Sequence, residues 1–97
     1  MHKGNNIMKR YYIIVEGQVQ GVGFRNFTQL TAIRHNCTGY VRNMENGMVE
    51  IQIQGDENNI RQVLKTLKEG NHFIQVDNVT IKEISLVANE KKFRCEY

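Results

Sequence analysis

The chain passes from a predicted strand into a predicted helix through Gly17-Gln18-Val19-Gln20-Gly21-Val22-Gly23-Phe24-Arg25. The apolar run Tyr11-Tyr12-Ile13-Ile14-Val15 precedes this stretch, and three apolar residues at helical spacing follow it: Phe27, Leu30 and Ile33. Three glycines in seven positions allow the main chain to adopt positive φ angles. Such a turn can direct several N–H groups into one concavity, beside the partial positive charge of a helix N-terminus. With Arg25 in the first helical turn, the stretch predicts a binding site for a phosphate-sized anion.

The spacing of these glycines matches neither of the familiar nucleotide-binding patterns. It is not G-x-x-x-x-G-K-[ST], and G-x-x-x-G-x-G differs from the dinucleotide fingerprint. Spacing alone also fits a glycine-rich turn that binds nothing. The stretch therefore favours phosphate without indicating ATP or NAD.

Length and composition indicate one globular domain. The chain has 97 residues, of which 40% are hydrophobic and 24% charged, and its net charge of +3 is spread over scattered basic residues. We expect a flexible tail over residues 1–7 and the folded domain over residues 8–97. No apolar run is long enough for a signal peptide or a membrane span, so we expect a cytoplasmic protein that binds no membrane. Because the basic residues are scattered, we expect no nucleic-acid binding. We also expect a monomer.

The middle of the chain predicts a β-hairpin. Thr38–Asn43 is typical of a strand, and Asn46-Gly47 favours a type I′ turn, in which both central residues have positive φ. Strict alternation marks the next strand, with Val49, Ile51 and Ile53 on one face and Glu50, Gln52 and Gln54 on the other. We expect the first face to be buried and the second to be in water.

The rest of the chain predicts a helix and two further strands. Asp56 is a plausible N-cap and Gly70 a plausible end for an amphipathic helix with apolar residues at Ile60, Val63, Leu64 and Leu67. Val76–Leu86 is typical of a strand with a bulge near Lys82-Glu83. Phe93–Tyr97 predicts a short last strand. The order βαββαβ plus this strand predicts an α+β, ferredoxin-like two-layer sandwich, with two helices on one face of a mixed, mainly antiparallel sheet.

Several catalytic classes lack their parts in this sequence. Ser85 is the single serine, the histidines (His2, His35 and His72) are isolated, and neither cysteine has an activating neighbour. No acidic pair has metal-binding spacing. We therefore expect neither a covalent intermediate nor a metal or other cofactor.

A phosphate site with an arginine and no nucleophile suits one substrate class. Phosphoryl transfer depends mainly on positioning and charge stabilisation. A carboxylate leaving group has a pKa near 4–5, about that of Asp and Glu, and departs without a general acid. An acyl phosphate then needs a clamp for its phosphoryl oxygens and a group that orients water. Asn43, at the end of a predicted strand, is our candidate for that group.

The combination of motifs strongly resembles the acylphosphatase family. The V-Q-G-V-x-F-R core is intact at Val19–Arg25, Thr38–Asn43 and an Asn-Gly hairpin follow, and the resemblance runs from Lys9 to Tyr97. It implies a metal-free hydrolase of acyl phosphates, with inorganic phosphate as product and inhibitor. It also implies that Arg25 binds the phosphate and that Asn43 positions the attacking water. The implied phosphate-binding amides belong to Gln18, Val19, Gln20, Gly21, Val22, Gly23 and Phe24.

Two alternatives and one pairing stay open from the sequence. An RNA-recognition domain would place aromatic side chains where the predicted open face has Glu50, Gln52 and Gln54. A regulatory or carbamoyl-phosphate-handling module of the kind found in larger maturation enzymes is the second alternative. We expect Cys37 and Cys95 to be free thiols, although the strand order that the resemblance implies could bring them together in a disulfide.

Overall fold

The structure is a computed structural model and describes residues 7–97. In chain order its elements are β1 (Met8–Gln18), α1 (Phe24–Arg34), β2 (Thr38–Asn43), β3 (Val49–Asp56), α2 (Glu57–Glu69), β4 (Gln75–Ile84) and β5 (Phe93–Glu96). Residues 1–6 of the predicted tail lie outside the described residues. The carbonyl of Ile7 accepts a hydrogen bond of 2.9 Å from the N–H of Glu57, the first residue of α2.

The five strands form one sheet in the order β4-β1-β3-β2-β5. Strand β3 lies antiparallel between β1 and β2, β4 is antiparallel to β1, and β5 is parallel to β2. Because β1 and β2 are parallel and one strand apart, α1 crosses over the sheet between them and leaves the gap that β3 fills. The two helices contact each other as well as the sheet. The predicted ferredoxin-like sandwich is confirmed.

The core lies between β3 and α2, as the apolar patterns predict. Val49, Ile51 and Ile53 are each at most 1% exposed, and the buried stripe of α2 consists of Ile60, Val63 and Leu67. The carboxylate of Asp56 accepts a hydrogen bond of 2.8 Å from the N–H of Asn58, and Gly70 ends the helix. Both predicted helix boundaries are confirmed.

Helix α1 buries a different face from the one its apolar spacing suggests. Leu30 and Ile33 are 51% and 54% exposed, whereas the buried residues are Phe24, Thr28, Thr31 and Ala32. Thr31 can be buried because its hydroxyl donates to the carbonyl of Phe27 at 2.7 Å. A polar side chain with a local hydrogen bond of this kind can be buried, so apolar spacing alone does not identify the buried face of the helix.

The hairpin between β2 and β3 is confirmed, but the predicted type I′ turn is wrong. Only Gly47 has a positive φ, of 90°, and the N–H of Gly47 bonds the carbonyl of Met44 at 3.3 Å. Met44 also donates its N–H to the carbonyl of Met48. The Asn46 side chain accepts from the N–H of Met48 at 3.0 Å. This is a longer loop with one left-handed glycine after the turn.

The β-bulge lies at the other end of β4 from where the sequence places it. Lys82 and Glu83 pair regularly with β1, and the register shifts instead between Glu16 and Gly17, where Asp77 has no partner. Gly17 has φ 138°, and a Cβ there would lie 2.2 Å from the carbonyl oxygen of Gln75. Only glycine fits this close approach, and the bulge lies where β1 runs into the glycine-rich loop.

The predicted open face of β3 is covered, so the expectation of wet side chains is wrong for two of the three residues. Glu50 is 5% exposed and Gln54 8%, while Gln52 is half-buried. Arg10 crosses this face and donates to the side-chain oxygens of Gln52 and Gln54, at 2.9 and 3.1 Å. The side chain of Gln54 also exchanges two hydrogen bonds with the main chain of Val87. A polar network therefore covers the face of β3 that was expected to be in water.

Glu90 anchors this network and supplies a pH-dependent test of the fold. Its side chain is 9% exposed and accepts from Arg10 Nη1 and Nη2 at 2.8 and 3.3 Å. Burial opposes ionisation, but hydrogen bonds from Arg10 and Thr38 and the charges of Arg10 and Arg94 outweigh it and lower the pKa of Glu90 below its ordinary value. Because the folded pKa is the lower one, the ion pair stabilises the protein above the unfolded pKa of about 4.3. That contribution is lost as pH falls through the folded pKa.

We expect Glu90→Gln to lower the free energy of unfolding by about 1–3 kcal/mol at pH 7 and by less at pH 3. Urea unfolding at both pH values measures the difference. Glu83→Gln is the matched control, because the exposed Lys9–Glu83 pair at 3.1 Å should contribute less than about 1 kcal/mol. An equal loss at both pH values would contradict the ion-pair account.

The two cysteines are free, so the disulfide alternative is wrong. Cys95 lies opposite Val41 in the parallel pairing of β2 and β5, whereas Cys37 precedes the first residue of β2. Burial, with a smaller contribution from the charge of Asp56, raises the pKa of Cys37 to about 11. The Cys37 thiol therefore stays neutral and unreactive at physiological pH.

Candidate active site

The glycine-rich loop ends in a helix N-terminus without a side-chain cap. Gly21 and Gly23 have φ angles of 74° and 82°, and a Cβ at either would meet nothing within 4 Å. Their glycine character therefore serves the backbone conformation and not a close contact. Gly23 is the N-cap of α1, and no side-chain hydrogen bond caps the helix. The first-turn N–H groups of α1 are thus left for another acceptor.

A small cavity of about 150 Å³ lies at this helix N-terminus. It brings together six of the residues that the sequence assigned to the site: Val19, Gly21, Gly23, Phe24, Arg25 and Asn43. Its lining also includes Asn26, Cys95 and Tyr97, which sequence reasoning missed. Three assigned residues do not line it. Gln18 pairs with Gln75 in the sheet, Val22 packs on the core, and the Gln20 side chain points to the hairpin.

The end of β5 holds the guanidinium of Arg25. Arg25 Nη1 donates to the carbonyl of Glu96 at 3.0 Å, and the Tyr97 ring centroid lies 4.4 Å from Arg25 Cζ. A guanidinium has five N–H donors in a fixed plane, so these contacts orient the group while leaving donors for an anion. No local pattern indicates this support, because it depends on β5 lying beside β2.

Asn43 lines the same cavity and has a buried side-chain acceptor without a partner in the described residues. It is the last residue of β2, paired in the sheet with Val49. Its Oδ1 atom is buried and has no hydrogen-bond partner within residues 7–97. Buried polar atoms are nearly always hydrogen-bonded, so a water or ligand that reached Oδ1 would supply a bond that the described residues do not.

The side chain of Gln20 connects the loop to the hairpin that follows Asn43. Gln20 Nε2 donates to the carbonyl of Met44 at 2.7 Å and to the carbonyl of Met48 at 2.8 Å. The sequence assigned Gln20 through its main-chain amide alone. Its side-chain bonds span 24 and 28 residues, so no local pattern indicates them.

The chemistry of the cavity is set by a cation and amides. No Asp, Glu or His side chain lines it, and its polar side chains besides Arg25 and two asparagines are the Cys95 thiol and the Tyr97 phenol. Within residues 7–97, no group of three or more His, Cys, Asp or Glu side chains could hold a metal ion. Neither described helix is long and apolar enough to cross a membrane. This arrangement can bind a small oxyanion and orient a polar molecule beside it.

Comparison with known proteins identifies the same family that the motifs resemble. The acylphosphatase family model matches residues 11–95. An acylphosphatase of Clostridium beijerinckii is 46% identical over 90 residues, which are 93% of this chain and 100% of the relative.

Solved structures agree with that relationship. The crystal structure of acylphosphatase from Bacillus subtilis superposes with a TM-score of 0.86 at 35% identity, covering 94% of this chain and 100% of that one. Full-length HypF in its phosphate- and nucleotide-bound form contains a similar region, with a TM-score of 0.82 at 25% identity. That match covers 99% of this chain and 13% of HypF. The fold, the motifs and the full-length relatives together place this chain in the acylphosphatase family.

Proposed function

We propose that this protein is an acylphosphatase, a hydrolase that cleaves the carboxyl–phosphate bond of acyl phosphates to give a carboxylate and inorganic phosphate. The observation that carries the proposal is the cavity lined by Arg25, the uncapped start of α1 and Asn43, whose buried Oδ1 has no partner within the described residues. A cation and N–H donors suit a phosphoryl group, and an unpaired acceptor suits the attacking water.

The clamp supplies the electrostatic part of the proposed mechanism. Main-chain N–H groups of the loop, at Val19, Gly21, Gly23 and Phe24 where it lines the cavity, and the Arg25 fork bind the phosphoryl oxygens, on which negative charge is spread in the transition state. Each charge-assisted hydrogen bond contributes roughly 1.5–3 kcal/mol. Several such bonds would supply a large share of the reduction in the barrier.

Water is the nucleophile in this proposal, oriented by the Asn43 amide and not by a base. The leaving carboxylate, with a pKa of about 4–5, needs no proton donor. The described cavity lining has no Asp, Glu or His side chain, which fits a reaction that requires no general acid or base of that kind. No metal, cofactor or phosphoenzyme takes part, and inorganic phosphate should occupy the same clamp as product and inhibitor.

We further propose that the protein is a monomer that acts in the cytoplasm without a nucleic-acid or membrane partner. Two free thiols, one of them at the cavity, fit a reducing compartment.

Release of inorganic phosphate from acetyl phosphate or benzoyl phosphate tests the function. We expect turnover that is unchanged by a chelator and inhibited by free phosphate. Glycerol phosphate is the control substrate, because its alkoxide leaving group needs a general acid that the proposed site lacks. Lack of turnover of both acyl phosphates, or loss of activity with the chelator, would contradict the proposal.

A further inference from the structure

We propose that Gln20 is a positioning residue for the hydrolysis: its side chain fixes the hairpin that carries Asn43 against the phosphate loop. This inference rests on the proposed function. It concerns the side chain of Gln20, which is separate from the main-chain amide that the loop contributes to phosphate binding.

Both N–H donors of the Gln20 side-chain amide are used. A glutamine amide nitrogen has two N–H donors, and Gln20 Nε2 gives one to the carbonyl of Met44 and one to the carbonyl of Met48. Met48 O also accepts from the N–H of Met44 at 2.9 Å, the bond that closes the hairpin. Gln20 therefore reinforces the closing pair of the hairpin from outside.

The position of that closing pair connects Gln20 to catalysis. Met44 directly follows Asn43, and Met48 directly precedes Val49, the sheet partner of Asn43. On the other side, Gln20 directly precedes Gly21, which lines the cavity. One side chain thus sets the distance between the two parts of the site, the loop that would hold phosphate and the strand end that would hold water. Misplacement by about 1 Å can cost about 100-fold in rate.

A change at Gln20 should affect the water side more than the phosphate side. The loop has its own constraints in Gly21, Gly23 and the start of α1, whereas the five-residue connection from Met44 to Met48 is tied to the loop by Gln20. We therefore expect Gln20→Met, which keeps the length of the side chain and removes both donors, to lower kcat about 10- to 100-fold. The inhibition constant of inorganic phosphate should change by less than about threefold.

The matched control is Gln29→Met, in α1. Gln29 Nε2 also donates to a main-chain carbonyl, that of Phe93 at 3.0 Å, but does not line the cavity. Gln20→Met loses two Gln-to-carbonyl bonds and Gln29→Met loses one, so thermal unfolding should report a loss of stability in both variants, and a larger one in Gln20→Met. We expect kcat of Gln29→Met within about twofold of wild type. Gln20→Asn, too short to reach either carbonyl, replaces Gln20→Met if that variant does not fold.

The decisive test is a double-mutant cycle with Asn43→Ala, measured with acetyl phosphate. If Gln20 acts through Asn43, adding Gln20→Met to Asn43→Ala should lower kcat by less than about twofold further. Full additivity of the two losses would overturn the positioning role. So would a fall in phosphate affinity that equals the fall in kcat. A wild-type protein without turnover would instead reject the proposed function itself, which keeps the two failures distinct.

Discussion

Arg25→Ala should lower kcat/KM for acetyl phosphate by about 10²- to 10⁴-fold and remove inhibition by inorganic phosphate. The guanidinium is already oriented by the Glu96 carbonyl and the Tyr97 ring, so its free N–H donors can meet an anion without a large entropic cost. Two charge-assisted hydrogen bonds contribute about 3–6 kcal/mol, and each 1.36 kcal/mol corresponds to a factor of ten in rate. Steady-state kinetics with phosphate as inhibitor measures both effects.

Arg25→Lys and Arg34→Ala complete this experiment. Lysine keeps the charge but not the planar fork, so we expect Arg25→Lys to recover little of the lost activity. Arg34 lies in the last turn of the same helix, and its replacement should leave kcat/KM and phosphate inhibition near wild type. Near-normal hydrolysis by Arg25→Ala would show that the clamp does not depend on this guanidinium.

Asn43→Ala should lower kcat by about 10²- to 10³-fold while inorganic phosphate still inhibits. The reason is that the loop and Arg25 would hold the phosphate, whereas Asn43, whose amide oxygen has no partner within the described residues, would orient the water. Removing the amide leaves water unoriented, whereas the loop and Arg25 stay intact. The measurement is kcat together with the inhibition constant of phosphate, which we expect within about threefold of wild type.

Asn58→Ala, on the exposed side of α2, is the control for Asn43→Ala. We expect wild-type kinetics from it. A parallel loss of turnover and phosphate affinity in Asn43→Ala would place Asn43 in the clamp and not beside the water.

Much of the fold was predictable because its signals are local. Alternation in Val49–Gln54 gave the central strand, and Asp56 and Gly70 gave both ends of α2. The buried polar face was not predictable, because its main ion pair joins Arg10 to Glu90, 80 residues apart. A carboxylate in an alternating strand is typical of a wet face, and only tertiary pairing reverses that expectation.

The candidate site likewise has residues that local sequence signals indicate and residues that only the tertiary structure brings in. Gly21, Gly23 and Arg25 stand close together in sequence, so the loop and its cation could be found from spacing. Asn43 was a candidate from its place at the end of a predicted strand, but the resemblance was needed to favour it, since a strand-end asparagine has no distinctive local pattern. Sequence reasoning missed Tyr97 and the side-chain bonds of Gln20, because both depend on chain segments that meet only after the sheet has formed.

The central claim is that main-chain amides and one guanidinium hold the phosphoryl group. The most direct measurement is a titration of the ¹⁵N-labelled protein with inorganic phosphate, followed by NMR. We predict saturable shifts that are largest at the amides of Gln18–Phe24 and at Nε of Arg25. Shifts that do not saturate, or that are largest away from the loop and Arg25, would contradict the account.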